Sequence, residues 1–327
     1  MTDFGRNPSI FRRSAPSMVG GMRLKLGRPD LRDYATAFDA PAAGPNAPLT
    51  VTWAGVTTLL IDDGESAVMT DGFFSRPSLL DVGLRRLEPS APRIDGCLSR
   101  LGAYRLEAVL PVHTHFDHAM DSAVVAERTG ARVVGGTSAV QVGRGAGLPD
   151  DRLTAVTPGE PVVLGAYDVT LIEAEHCPPD RFPGAIRDPV VPPVKVSAYK
   201  CGEAWSTLVH HRPSDRRMLI VGSAGFVRGA LVGQHAGVVY LGVGQLGLQS
   251  EQYIVDYWTE TVRTVGARRV VLIHWDDFFR PLHEPLRALP YAGDDLDVSM
   301  HVLSRLARED GIPLHLPTLW QRADPWC

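Results

Sequence analysis

The chain is poor in the features that mark several common protein classes. Its 327 residues hold four cysteines, Cys97, Cys177, Cys201 and Cys327, with no CxxC pair among them. Neither a cysteine zinc knuckle nor a disulfide-stapled secreted framework is expected, and the thiols read as reduced. Charge of either sign is not in excess: 33 Lys and Arg stand against 37 Asp and Glu, a net charge of −4. A nucleic-acid footprint normally shows as a basic face or stripe, so no nucleic-acid partner is expected. No stretch approaches the roughly 18 apolar residues that would span a bilayer, and the N-terminus lacks the apolar centre of a secretory signal. The expected location is cytoplasmic.

What is present is the balance of a globular protein, 44% hydrophobic and 21% charged, enough for a sizeable core. The first 28 residues stand apart. Arg6, Arg12, Arg13, Arg23, Lys25 and Arg28 face Asp3 alone, with Phe4, Ile10, Phe11 and Met18 interspersed. Such a segment could make peripheral contact with an anionic membrane surface. Its apolar residues show no sustained helical spacing, which favours an arm packed on its own domain or on a partner subunit. With the linker APAAGPNAP it forms an arm over 1–48, and 49–327 reads as a single domain.

That domain begins with β-rich runs. LTVTWAGVTTLLID and SAVMTDGFF, separated by Asp62, Asp63 and Gly64, predict a hairpin, and EAVLPVH predicts a strand buried on both faces over 107–113. DSAVVAERTG predicts a helix stopped by Gly130, followed by the strand ARVVGG. PVVLGAYDVTLIEAEH and AWSTLVHHRPSDRRMLIVGS each divide into two strands around a turn. Between them, Pro178, Pro179, Pro183, Pro189, Pro192 and Pro193 stiffen a segment that is neither helix nor central strand and suits a lid or pocket wall. SEQYIVDYWTETVRTVG predicts a helix, RRVVLIHW a strand, and 294–310 another helix. Two halves, each of several strands followed by helix, imply an α/β protein of αββα sandwich type.

The densest chemistry lies in HTHFDH, residues 113–118. Strand positions i and i+2 share a side, so His113 and His115 would aim at one spot if the strand persists that far. Asp117 and His118 follow where the chain turns toward the helix and can aim at a second. Imidazole and carboxylate ligands favour zinc, with iron or manganese as alternatives, and hydrolytic two-metal sites hold their ions about 3.5–4 Å apart. The bland alternative is a solvated polar loop.

HTHFDH resembles the HxHxDH signature of the metallo-β-lactamase superfamily of metal-dependent hydrolases. The resemblance spans roughly 50–280 and implies an αββα fold with the site along one edge. Asp71, in AVMTDGFF, matches the early aspartate that supports the histidine loop, although a turn-capping role would equally explain it. His176 and His274, each at a strand end, match the later histidines. The resemblance thus implies His113, His115 and His176 around one ion, and Asp117, His118 and His274 around another, with Asp117 positioning or deprotonating the attacking water. Where relatives place a bridging aspartate, MLIVGSAGF offers Ser223. A neutral hydroxyl is a poorer ligand than a carboxylate, leaving three outcomes: two ions bridged by water alone, one ion, or a decayed site.

Other groups have plainer readings. Cys177 follows a ligand candidate, but adjacent strand residues point to opposite faces, so it reads as a buried or loop thiol. One of His210 and His211 is expected to face inward as a hydrogen-bonded histidine. Arg181, Arg187, Lys195 and Lys200 read as solvated charges before anion-binding ones. VTWAGVTTLLID, TDGFFSRPS and IHWDDF resemble the branch containing ascorbate-6-phosphate lactonases and N-acyl-phosphatidylethanolamine phospholipase D. That resemblance implies a small-molecule or lipid-like ester, a phosphodiester or a lactone. A mononuclear iron oxidoreductase resembling persulfide dioxygenases, or a non-catalytic metal-binding module, stands as the alternative. A homo-oligomer stands as an option, and the sequence does not fix the oligomeric state.

Overall fold

The computed structural model describes residues 25–327. Their strands form two seven-stranded sheets. The first contains β1 (Thr50–Trp53), β2 (Leu59–Asp62), β3 (Ala67–Thr70), β4 (Ala108–Leu110), β5 (Arg132–Gly135) and β6 (Leu153–Ala155). The second contains β7 (Pro161–Leu164), β8 (Tyr167–Ala174), β9 (Ala204–His211), β10 (Arg216–Val221), β11 (Val238–Gly242), β12 (Arg269–Ile273) and β13 (Leu314–His315). The last strand, β14 (Arg322–Ala323), crosses back to pair with β1 at the edge of the first sheet. The helices are α1 (Leu79–Leu84), α2 (Ala91–Leu101), α3 (Phe116–Ala119), α4 (Ser122–Thr129), α5 (Thr137–Gly145), α6 (Glu251–Trp258) and α7 (Leu296–Asp310).

Period-two alternation explains the layering. Leu59 and Ile61 of β2, Val68 of β3, and Ala108 and Leu110 of β4 join the core between the sheets with Val169, Leu171, Met218 and Ile220. Leu60, Met69 and Val109, one residue out of phase, join the outer layer with Ile94, Leu98, Val125 and Ala126 of α2 and α4. On the other face, Ile254, Tyr257 and Trp258 of α6 and Leu303 and Leu306 of α7 cover the second sheet. The result is the αββα sandwich expected.

Several expectations are revised locally. LTVTWAGVTTLLID is not one strand but two, because the turn at Ala54–Thr58 reverses the chain and pairs β1 with β2. The strand expected over 107–113 stops at Leu110, where Pro111 removes a ladder donor. The helix predicted over SEQYIVDYWTETVRTVG forms as α6 and a π turn over Thr259–Arg263 that runs on to Gly266, whose φ is 67°. Gly130 closes α4 at φ 77°, as read.

Described residues of the arm lie along the domain. Lys25 pairs with Asp295 and Asp297, Arg28 with Asp277, and Phe38 packs edge-on to Trp275 at 5.7 Å. Arg6, Arg12, Arg13 and Arg23, and with them most of the proposed membrane contact, lie outside the described residues. No helix among the described residues is long and apolar enough to cross a membrane.

Candidate metal centre

Strand direction gathers the functional side chains at one rim. β3, β4 and β5 run parallel, as do β10, β11 and β12. β8 is antiparallel to β9, which is antiparallel to β10, so β8 runs with β10. Asp71 directly follows β3, and His113 lies just past β4. His176 stands two residues beyond β8, Ser223 two beyond β10, and His274 immediately after β12. All five therefore leave the C-terminal ends of their strands.

The six expected ligand residues come together in two groups. His113, His115 and His176 place ligand atoms within 4.8 Å of one another, and so do Asp117, His118 and His274. The route differs from the one the sequence suggested. His113 and His115 are not strand neighbours, since β4 has ended; His115 is instead the N-cap of α3, and Asp117 and His118 sit in that helix's single turn. Nε2 of His113 lies 3.1 Å from Nδ1 of His115. Nε2 of His118 lies 3.3 Å from Nε2 of His274, and Oδ2 of Asp117 stands 3.5 and 3.6 Å from those two nitrogens.

Asp71 does more than cap a turn. Its Oδ2 lies 2.8 Å from Nδ1 of His118 and accepts a short hydrogen bond from the Thr57 hydroxyl, while Oδ1 accepts from the Val112 amide at 2.9 Å. A carboxylate on Nδ1 fixes the ring and leaves Nε2 bare toward Asp117 and His274. His176 is oriented similarly, with Nδ1 at 2.7 Å from the Cys177 carbonyl. His274 is held by its backbone, whose amide donates to the Val56 carbonyl at 2.9 Å. The Val56 amide donates to Asp276, which forms a fully buried 2.5 Å pair with Arg76.

Burial sets the protonation of the cluster. Desolvation lowers His113 and His118 well below the usual imidazole range, and lowers His115 and His274 to about 4. The rings are thus neutral and offer lone pairs. Asp117 is pushed up to about 7, and Asp71 well above the carboxylate range, again chiefly by desolvation. Bare nitrogens and a carboxylate aimed at one another inside a buried site repel unless a cation lies between them, so this donor set fits a divalent metal. Nδ1 of His113 and of His274 are buried without a partner.

Ser223 belongs to neither group. Its hydroxyl donates to the Glu175 carbonyl at 3.2 Å and its carbonyl accepts from the Cys177 amide at 2.9 Å, which ties the β10 end to the segment carrying His176. Cys177 is buried, its thiol pushed up to about 12 by desolvation. His211 is the inward histidine, bonded to Ser214 at 2.7 Å and Asp63 at 3.0 Å. Arg181, Arg187, Lys195 and Lys200 are exposed. Thr57, Asp180, Arg76 and Asp276 were missed. Asp276 and Arg76 lie 200 positions apart in the chain, and only the DD pair following IHW hinted at a role.

Comparison with known proteins supports the fold. No family model matches the chain. A UPF0173 metal-dependent hydrolase of Myxococcus xanthus is 28% identical over 163 residues, 50% of this chain and 51% of that protein. The chain thus matches about half the length of this curated relative. A possible metal-dependent hydrolase from Veillonella parvula superposes with a TM-score of 0.54 at 15% identity, over 84% of this chain and 99% of its own. The metallo-β-lactamase fold protein YhfI of Bacillus subtilis gives 0.51 at 12%, over 84% and 98%. The two sheets and their flanking helices are those of the metallo-β-lactamase fold.

Proposed function

We propose that this protein is a metal-dependent hydrolase that cleaves a phosphodiester or lactone-type ester. In this reading His113, His115 and His176 hold one ion and Asp117, His118 and His274 a second, with zinc the first choice. One observation carries it: six ligand-type side chains from three distant segments converge as two triads with their bare atoms facing inward. The name of the Myxococcus relative points the same way.

A divalent cation at such a site acidifies bound water and polarises the oxygen under attack. The chain's own residues supply the rest. The neutral imidazoles provide lone pairs without needing deprotonation, and Asp117, between His118 and His274, orients the attacking water. Phe116, Phe278 and Phe279, with ring centroids 4.5–6.4 Å apart, wall the α3 side with apolar surface and limit water access.

The test is turnover of phosphodiester and lactone panels by the purified full chain, before and after verified metal removal. His115→Ala is expected to lose metal and activity together. Unchanged hydrolysis after complete chelation would end the reading. Ser223, in place of a bridging carboxylate, keeps the mononuclear iron oxidoreductase as a second reading. Iron in the purified protein with oxygen uptake would favour it, whereas zinc or manganese with hydrolysis would not. A protein that binds no metal would be the non-catalytic module.

A further inference from the structure

Of the rings in the two triads, His118 and His176 each have their outer nitrogen engaged, by Asp71 and by the Cys177 carbonyl. His115 differs because its inner atom is Nδ1, facing Nε2 of His113, which leaves Nε2 as the outer one. That Nε2 is buried and has no hydrogen-bond partner of good geometry. It stands 3.1 Å from Oδ1 of Asp180. Asp180 comes from the proline-rich segment and is held in place locally, its Oδ1 accepting from the Phe182 amide at 2.9 Å. The same segment is stitched to the histidine loop: the Cys201 amide donates to the Phe182 carbonyl at 2.8 Å, and the Cys201 carbonyl accepts the Thr114 amide at 2.8 Å. Sγ of Cys201 completes a cluster with His115 and Asp180.

We infer that Asp180 is a positioning residue for His115, its carboxylate 3.1 Å from Nε2 favouring the ring proton on that nitrogen so that Nδ1 is left bare toward His113 and His176. This rests on the proposed metal centre and deepens it. A neutral imidazole carries one proton, and two tautomers of similar energy compete for it. A carboxylate 3.1 Å from Nε2 draws the proton there. Without it, a share of the molecules would carry the proton on Nδ1, where it blocks the ion. Asp71 serves His118 on the opposite nitrogen, so the two triads are tuned by two carboxylates from different segments. Asp180 also makes the proline-rich segment part of the metal centre rather than only a wall beside it.

The test compares the full chain with Asp180→Ala and Asp180→Asn, each first shown to melt as the parent does without metal. Ring-nitrogen NMR of histidine-labelled, metal-free protein reads the His115 tautomer, and zinc titration against a chromophoric chelator reads affinity. The parent is expected to carry His115 protonated on Nε2. Asp180→Ala is expected to populate the other tautomer and to weaken one zinc site about 10- to 100-fold, the usual cost of losing such a partner. Asp180→Asn, whose amide oxygen still accepts, is expected to stay near the parent in both. A parent protonated on Nδ1, or an affinity loss in Asp180→Ala with the tautomer unchanged, overturns the inference while leaving the metal centre standing. A parent that binds no zinc, iron or manganese overturns the functional reading and this inference together.

Discussion

Replacing Asp71 by Asn keeps the shape of the side chain and reverses what it asks of His118. The Val112 amide donates to Oδ1 at 2.9 Å, so an asparagine must present its carbonyl there. Its NH2 then occupies the place of Oδ2, 2.8 Å from Nδ1 of His118. An amide nitrogen can only donate, so it would recruit the Nδ1 lone pair and force the ring proton onto Nε2, the nitrogen that faces Asp117 and His274. The opposite flip restores an acceptor to His118 but sets NH2 against the buried Val112 N–H, at a cost of about 1–3 kcal/mol for an unmade buried bond. Either way the second triad suffers. The expected loss is about 10- to 100-fold in affinity for one ion, or roughly 1.4–2.7 kcal/mol. Zinc competition at neutral pH, with the His118 tautomer read by ring-nitrogen NMR, measures it. Parent-like affinity at both sites in a folded Asp71→Asn protein would refute the argument that the tautomer controls the site.

Other perturbations test neighbouring steps. Ser223→Asp is expected to tighten metal binding and raise ion stoichiometry toward two, measured by elemental analysis after dialysis; no change would mean that position 223 does not face the ions. A Cβ on Gly244 would stand 2.8 Å from Nδ1 of His274, so Gly244→Ala is expected to weaken the second site selectively, which zinc titration would show. Arg76→Met leaves the fully buried Asp276 without its cation and is expected to cost about 3–5 kcal/mol in urea unfolding. Burial raises Asp294 to about 7, its Oδ2 having no partner. Folded Asp294 thus holds its proton more tightly than the unfolded chain does, and its contribution, complete below the ordinary carboxylate pKa, is lost as pH rises through about 7. Asp294→Asn is expected to flatten that slope by up to a few kcal/mol between pH 4 and pH 8 in urea melts.

The parts of the site that could be read from sequence were those contiguous in the chain or carried by a strong period. HTHFDH is one six-residue stretch, and the strands that deliver His176 and His274 are β-rich runs with recognisable ends. The layering followed from two halves that each read as several strands and then helix. What could not be read depends on contacts between distant segments. Asp180 acts on a residue 65 positions earlier, a relation that no local pattern records. β11 escaped because VVYLG is a five-residue run among glycines, and α2 because APRIDGCLSRL carries Pro92 and Gly96 in a helix. The early end of β4 was signalled by Pro111 but outweighed by the apolar residues on either side.

Backbone strain gathers where the candidate ligands do, and hydrogen bonds explain how it is held. Val56, Asp71, Arg76, Ala224 and His274 all have φ between 41° and 61°, a region that side chains other than glycine enter at a cost. For a β-branched residue such as Val56 the cost is of order 1–3 kcal/mol. Three hydrogen bonds fix that residue: its amide donates to Asp276, and its carbonyl accepts from Trp53 Nε1 and from the His274 amide. The positive φ of Val56 places its carbonyl to receive the first residue after β12, and that residue is His274, itself at φ 61°. The buried Arg76–Asp276 pair therefore acts on the second triad through the backbone, by fixing the turn that fixes the histidine. A rim built in this way holds its imidazoles in place through the backbone, the preorganisation that the proposed metal centre would need with a serine at position 223.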